Sequence, residues 1–210
     1  VIATAVEPVC ETDIRSARRQ LRERLGIAES EFVFGFVGRL SDEKGVNYLL
    51  DAVSLKAPAA DPWRLLIVGD GPRREELEAI ASQSPVGSRI TFAGFQGDAG
   101  PWLSAMDAFV LPSLTEGTPM ALLEAMAHRV PVIASAVGGV PAVISDRKNG
   151  MLVPPADPQA LSNVMCEVSQ KQSLRETLSQ AAHETVSTRY DVGAWTAKVR
   201  AVYEKALETS

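Results

Sequence analysis

Short apolar runs rich in β-branched and aromatic residues recur along the chain, and a stretch with helical periodicity follows each of them. The runs are nearly continuous rather than alternating, which is typical of strands covered by helices on both faces. Six strand–helix alternations predict an α/β fold, a Rossmann-like doubly wound parallel sheet of about six strands with helices on both faces. The predicted strands span residues 32–38, 63–69, 89–94, 107–113, 130–135 and 150–155.

Helical patterns separate these strands and continue after the last of them. The predicted helices include residues 45–57, 72–83, 99–106, 119–127 and 158–170. A final helix at about 191–208 contains Trp195 and Tyr203, and we expect it to pack outside the main sheet with apolar side chains exposed. The chain therefore divides into a domain at residues 1–190 and a C-terminal helix at 191–210.

Ligands of doubly wound sheets bind beyond the carboxyl ends of the strands, so the loops that follow the strands are the places to look for chemistry. The loop SLTEGTP precedes an apolar helix and carries Glu116, and Glu124 follows eight positions later. In this loop Gly117 lets a ligand approach the backbone. Thr118 is predicted to cap the helix and Pro119 to lie in its first turn.

The start of this helix also predicts an anion site, because the N–H groups of Met120 and Ala121 lie at the positive end of the helix dipole. Glu124 stands among apolar residues, and a buried charge there needs a partner. We therefore favour a site in which Glu116 and Glu124 hold opposite ends of an elongated ligand. The alternative is that Glu116 complements the dipole while Glu124 faces solvent.

The loop GRLSDEKG supplies two cations after the first strand. Arg39 offers a planar fork to phosphate oxygens, and Lys44 offers a point charge. Gly38 permits a tight turn at the strand end. These residues alone are equally consistent with solvated cations paired to Asp42 and Glu43, but an anion site at the same sheet edge favours phosphate binding.

Composition excludes several other classes of function. A net charge of −5 argues against a nucleic-acid partner or a polybasic membrane anchor. The two cysteines, Cys10 and Cys166, are far apart and indicate free thiols in a reducing, cytoplasmic compartment. Only two histidines are present, so a zinc site or a His-based triad has little to build with. No apolar run approaches the length of a membrane span.

Three further features are interpreted as structural. VGDGPRREEL resembles part of a dinucleotide-binding fingerprint, but Arg74 stands where the third glycine belongs, so a tight turn into a helix is favoured. His128, with Arg129, closes the helix at 119–127, where basic residues suit the negative end of the dipole. Asp107 begins a strand and is expected to stabilise the junction with the preceding helix.

The ordered motifs GRLSDEKG, LIVGDGP, DAFVLPS, EGTPMALLEAMA, PVIAS, GGVP and NGMLVPPAD resemble the retaining glycosyltransferases of the GT-B fold, and most closely their family 4. The resemblance covers nearly the whole chain. It implies that residues 1–190 form the nucleotide-sugar-binding half of such an enzyme. VIATAV resembles the strand that enters this half, so a preceding acceptor-binding half is expected to be missing.

The resemblance implies a role for each matching residue. Arg39 and Lys44 would bind the donor diphosphate, Glu116 would face hydroxyls of the sugar, and Glu124 would bind the ribose. The remaining binding positions are the backbone or side chains of Gly38, Gly117, Thr118, Pro119, Met120 and Ala121 around phosphate and sugar, and Phe95 near the base. Neither a cofactor nor a metal is expected, because the cations and the helix start would do the work of a metal.

The resemblance has departures. His128–Arg129 stands where a small residue and Gly often end the helix, and because an Arg in a left-handed cap costs about 1 kcal/mol, a differently shaped helix end is expected. Ala142 replaces a Glu of the GGVP turn, which makes donor preference less predictable. ATAV likewise replaces a Pro-Asn-Gly type of turn.

The implied reaction is transfer of a sugar from a UDP-, GDP- or ADP-sugar to a sugar, lipid or polysaccharide acceptor, with retention of anomeric configuration. For the complete enzyme, peripheral membrane association at the inner face is among the expectations. The fragment alone is expected to be inactive. Two alternatives stay open: an isolated nucleotide-sugar-binding module without turnover, and a GT-B-fold nucleotide-sugar epimerase.

Overall fold

The computed structural model describes residues 5–55 and 62–208 of the 210-residue chain. The strands are β1 (Phe32–Val37), β2 (Trp63–Val68), β3 (Ile90–Gly94), β4 (Ala108–Leu111), β5 (Val132–Ser135) and β6 (Met151–Val153). The α-helices are α1 (Glu11–Leu25), α2 (Val46–Leu55), α3 (Arg74–Gln83), α4 (Gly100–Ala105), α5 (Met120–Ala127), α6 (Val140–Val143), α7 (Pro158–Gln170), α8 (Gln172–Arg189) and α9 (Val192–Glu208). Two short 3₁₀ helices span Asp42–Lys44 and Gly87–Arg89.

The six strands form one parallel sheet in the order β3-β2-β1-β4-β5-β6. The predicted α/β class and doubly wound sheet are confirmed. The chain winds outward from β1 to β3 and then returns to place β4 on the other side of β1. The strand order therefore reverses between β1 and β4, and the loops that follow these two strands border the crevice where such folds bind ligands.

The predicted strands lie where the apolar runs indicated, although each observed strand is shorter than its run. Side chains of β1 and β4 such as Phe34, Phe36 and Phe109 are completely buried, because helices cover both faces of the sheet. The predicted VIATAV strand falls mostly on residues 1–4, which lie outside the described residues. Val6, at its end, forms a parallel bridge with Asp191 between α8 and α9.

A buried ion pair joins α1 to the amino-terminal edge of the sheet. The Arg22 guanidinium, only 1% exposed, donates from Nη2 to Oδ2 of Asp107 at 2.6 Å. Arg18 Nη2 donates to the other oxygen of Asp107 at 2.8 Å. The same carboxylate accepts the N–H of Val33 at 2.7 Å, so Asp107 has the structural role that the sequence indicated.

The carboxyl end of α5 corrects one expectation. The helix does not end in a different shape, because Arg129 itself adopts the left-handed conformation with φ 58°. The N–H groups of Arg129 and Val130 donate to the carbonyls of Met126 and Ala125, as in a Schellman motif. Ser179 Oγ on α8 donates to the Arg129 carbonyl at 2.6 Å, and this tertiary bond helps offset the strain.

Helix α9 leaves apolar side chains exposed, as the sequence predicted. Trp195, Val202 and Tyr203 are 37%, 58% and 69% exposed. The division of the chain into 1–190 and 191–210 stays a prediction. In the described part of the chain, no helix combines the length and the hydropathy that crossing a bilayer requires.

We expect Asp107→Ala to lower the free energy of unfolding by about 3–5 kcal/mol, because it leaves Arg22 charged and buried, with only the exposed Glu29 carboxylate nearby at 3.9 Å. Glu29→Ala is the matched control, since Glu29 also faces Arg18 and Arg22 but is 67% exposed. The control should cost about 1 kcal/mol or less. Urea denaturation of both variants makes the comparison, and equal losses would contradict a dominant role for Asp107.

Candidate functional site

Two adjoining clefts lie at the carboxyl edge of the sheet, beside the point where the strand order reverses. One, of about 510 Å³, is lined by Met120, Glu124 and His128. The other, of about 440 Å³, is lined by Gly38 and Arg39 after β1, by the end of β2 and by Phe95 after β3. Gln96 and Ala99 line both clefts, so the two form a continuous place for an elongated ligand.

The loop after β1 is held against the loop after β4 by close backbone contacts. Gly45 has φ 62°, and a Cβ there would lie 2.3 Å from the Pro112 carbonyl oxygen, so only glycine permits this approach. The N–H of Leu114 donates to the Glu43 carbonyl at 2.8 Å. These contacts bring Lys44, at the end of the 3₁₀ helix, next to the acid of the neighbouring loop.

Lys44 and Glu116 form an ion pair across the two loops. Nζ of Lys44 lies 2.7 Å from Oε1 of Glu116, whose side chain is only 6% exposed. Ser113 Oγ donates to the same oxygen at 2.6 Å. Lys44 therefore pairs with Glu116, whereas the alternative gave it Asp42 or Glu43 as a partner. Glu116 likewise does more than complement a helix dipole, since its partner is a cation.

The loop after β5 supports Glu116 from behind. Gly138 has φ 50°, and a Cβ there would lie 1.8 Å from the Glu116 carbonyl oxygen. The N–H of Gly139 donates to that oxygen at 3.2 Å. The GGVP motif therefore acts as a backbone platform, which needs two residues without side chains to let the loops approach.

Helix α5 begins beside Glu116, and two predictions about its start are corrected, the capping role of Thr118 and the place of Pro119 in the first turn. Thr118 does not cap the helix; Pro119 occupies the N-cap position with ψ 101°, and no side chain caps the end. Thr118 is exposed instead, as is Gly117, so both lie where a ligand can reach them. Met120 and Ala121 lie in the first turn of α5. The N–H groups of this turn form the positive end of the helix dipole.

Glu124 is half-buried on the wall of the larger cleft, one helix turn from Met120. Burial raises the pKa of its carboxyl above the ordinary value, and the nearby Asp98 carboxylate raises it further. Within residues 5–55 and 62–208, no hydrogen bond or ion pair satisfies this carboxylate. The sequence-based argument that a charge here needs a partner therefore applies to the observed structure.

His128 lines the same cleft, a position that sequence reasoning did not foresee. Its Nδ1 lies 3.0 Å from Ser104 Oγ. Burial lowers the pKa of the His128 imidazole, and the Asp98 carboxylate opposes this effect. Asp98, Gln96 and Ser113 were also missed, because single polar residues in loops carry no periodic signal.

The structure brings the predicted site residues to one edge of the sheet, although in three groups. Lys44 contacts Glu116 directly, Met120 and Glu124 share the larger cleft, and Gly38, Arg39 and Phe95 share the smaller one. Phe95 is 77% exposed at the cleft surface. Among the residues that the structure describes, no cluster of His, Cys, Asp and Glu side chains could hold a metal ion.

The sheet is doubly wound, and a charged crevice lies at its switch point, the place where the strand order reverses between β1 and β4. These features define a Rossmann-like ligand-binding domain. The chain belongs to the glycosyl transferases group 1 family, whose model matches residues 17–185. This membership confirms the resemblance to GT-B glycosyltransferases.

Named relatives are sugar transferases. The chain is 29% identical over 197 residues to α-D-kanosaminyltransferase of Streptomyces kanamyceticus, and the match covers 93% of this chain and 51% of the relative. It is 31% identical over 193 residues to a teichuronic acid biosynthesis glycosyltransferase, described as putative, of Bacillus subtilis, covering 92% and 47%. The chain therefore spans about half the length of these relatives.

Solved structures agree with the fold. The UDP-glucose complex of Anabaena HepE superposes with a TM-score of 0.86 at 25% identity, covering 97% of this chain and 57% of that one. The C-terminal domain of the group 1 glycosyl transferase LpcC of Francisella tularensis superposes with a TM-score of 0.75 at 29% identity. That match covers 83% of this chain and 93% of the domain, so the chain is similar in fold to the C-terminal domain of a group 1 glycosyl transferase.

We expect Glu124→Gln to stabilise the protein at neutral pH, because it removes a carboxylate whose ionised form burial disfavours. The sign follows from the raised pKa of Glu124. Once the pH exceeds the pKa of this carboxyl in the unfolded chain, about 4.3, its ionisation lowers the free energy of unfolding of wild type. The gain of the variant should be present at pH 7.5 and shrink as the pH falls toward 4.5.

Urea denaturation across this pH range measures the gain. Glu75→Gln on α3 is the control, since Glu75 is exposed and lies away from the clefts. A stabilisation by Glu124→Gln that does not depend on pH would contradict the assignment of the effect to ionisation.

Proposed function

We propose that this chain is the donor-binding domain of a retaining family 4 glycosyltransferase and that its cleft binds a nucleoside-diphosphate sugar. The observation that carries the proposal is the Lys44–Glu116 ion pair where the strand order reverses, beside a cleft in which Glu124 has no partner among the described residues. A cation and two carboxylates at one sheet edge suit a ligand with an anionic centre and hydroxyl groups at both ends.

The two clefts suggest how such a donor lies. The ribose hydroxyls donate to Glu124 on the wall of the larger cleft, and the base lies toward Phe95 in the smaller one. The diphosphate then lies between Arg39, Lys44 and the start of α5, where cations and a helix dipole both favour negative charge. Glu116 accepts a hydrogen bond from a hydroxyl of the transferred sugar.

This arrangement supports a mechanism based on charge stabilisation. As the glycosidic bond breaks, negative charge grows on the leaving diphosphate, and Arg39, Lys44 and the helix start are already oriented toward it. One preorganised donor of this kind is worth about 2.7–4 kcal/mol of activation free energy in other enzymes. In the resting structure Lys44 is held by Glu116, so it is placed before the donor arrives.

Several parts of the proposal concern the complete protein. The chain spans about half the length of the relatives above, so we propose that it binds donor without completing transfer and that a further domain supplies the acceptor site. A UDP-sugar is favoured over GDP- or ADP-sugars because the HepE structure binds UDP-glucose. The relatives above are named as transferases, which gives the epimerase alternative no support. No metal is required in this scheme. For the full-length enzyme, we also propose peripheral association with the inner face of the membrane.

We expect Arg39→Ala and Lys44→Ala each to weaken UDP binding to the chain by about 10- to 100-fold. Each removes a charged donor to the diphosphate, and such hydrogen bonds are worth about 1.5–3 kcal/mol. Isothermal titration calorimetry with UDP measures the loss. The matched control is Lys148→Ala, which removes one exposed positive charge before β6, at the opposite edge of the sheet.

The control should bind UDP as wild type does. Equal losses in all three variants would mean that net charge, not the cleft, governs binding. Unchanged affinity after both cleft substitutions would contradict the proposed diphosphate site, and sugar transfer by the chain alone would contradict the need for a further domain.

A further inference from the structure

Ser113 occupies a buried position directly behind the ion pair. It follows Pro112 at the end of β4 and is 0% exposed. Its hydroxyl donates to Oε1 of Glu116, three residues later, at 2.6 Å. The backbone N–H of Leu114 donates to the Glu43 carbonyl, which fixes the intervening loop to its neighbour.

Both protein donors converge on one oxygen of the Glu116 carboxylate. Lys44 Nζ lies 2.7 Å from Oε1, and Ser113 Oγ lies 2.6 Å from the same atom. In the part of the chain that the structure describes, no hydrogen bond reaches Oε2. Two donors on Oε1 fix the rotation of the carboxylate plane, which leaves Oε2 as an acceptor of constant orientation.

The two donors differ in what else they can do. Lys44 has a long, flexible side chain with three donors, and its side chain is 23% exposed. Lys44 can therefore donate to Glu116 and to an anionic ligand at the same time. Ser113 is short and wholly buried, so its hydroxyl cannot reach a ligand and acts only through Glu116.

We propose that Ser113 is a positioning residue that orients Glu116 toward the sugar of a nucleotide sugar and so contributes to recognition of the sugar rather than of the nucleotide. The inference rests on the proposed function. Ser113 lies outside the cleft, yet it should affect the affinity for the sugar and not for the nucleotide. A general structural role would not produce this selective effect.

The effect on affinity should depend on the ligand. Without the Ser113 hydroxyl, Glu116 keeps only the Lys44 bond, and its carboxylate can rotate away from the sugar. A hydrogen bond to a charged group is involved, so Ser113→Ala should weaken binding of UDP-glucose by about 5- to 20-fold. UDP has no sugar beyond the ribose, and its affinity should stay within about twofold of wild type.

The experiment is calorimetric titration of wild type, Ser113→Ala and Ser113→Thr with UDP and with UDP-glucose as separate probes. Ser113→Thr keeps the hydroxyl and should bind UDP-glucose more tightly than Ser113→Ala. Thermal unfolding of each variant identifies any loss of folded protein. In a Glu116→Gln background, Ser113→Ala should have little further effect, because the oriented carboxylate is already absent.

The outcomes separate the two proposals. If wild type binds neither probe, the proposed function fails. If wild type binds UDP but not UDP-glucose, or if Ser113→Ala weakens both probes equally, the nucleotide site stands and the role of Ser113 is overturned. An undiminished effect of Ser113→Ala in the Glu116→Gln background also overturns it, since the hydroxyl would then act through another group.

Discussion

The ion pair between Lys44 and Glu116 joins the two loops on which the candidate site depends. Its two residues follow β1 and β4, strands that are neighbours in the sheet although 72 positions separate the paired residues. Glu116 is nearly buried, and a buried carboxylate without a cation would be costly. The contact therefore stabilises the loop arrangement, and it also keeps a positive charge and an acceptor at fixed places beside the cleft.

The sheet topology explains why these charges meet. Because the strand order reverses between β1 and β4, the loops after these neighbouring strands lie side by side and border the crevice where such folds bind ligands. Gly45 lets the loop after β1 approach the loop after β4, and Gly138 lets the loop after β5 approach that same loop, each more closely than a side chain would permit. At the opposite edge, Asp107 and Arg22 anchor α1, so stability and candidate binding depend on different ends of the same strands.

Sequence reasoning predicted the fold well because continuous apolar runs with intervening helical periodicity leave few alternatives to a parallel sheet. It also predicted that Glu116 and Lys44 share an edge, since the carboxyl ends of parallel strands lie together. The prediction that Thr118 caps α5 was wrong, because Pro119 itself occupies the N-cap position in an extended conformation. Sequence reasoning also misjudged the end of α5, where contacts with Ser179 outweigh the intrinsic preference of Arg129.

The residues that the sequence could not reveal act through distant contacts. Ser113 becomes part of the site because the folded loop places its hydroxyl on Glu116. Asp98 becomes part of it because α4 and α5 pack side by side. No spacing along the chain encodes either contact. Pairing in space, not the motif, distinguishes a solvated lysine from one held beside a carboxylate.

We propose that one donor molecule occupies both clefts, across the point where the strand order reverses. A crystal structure of the chain with UDP-glucose tests this most directly. We predict the diphosphate within hydrogen-bonding distance of Arg39 and Lys44, the ribose hydroxyls on Glu124 and the glucose on Glu116. A ligand bound elsewhere on the surface, with Lys44 and Glu124 untouched, would contradict the claim.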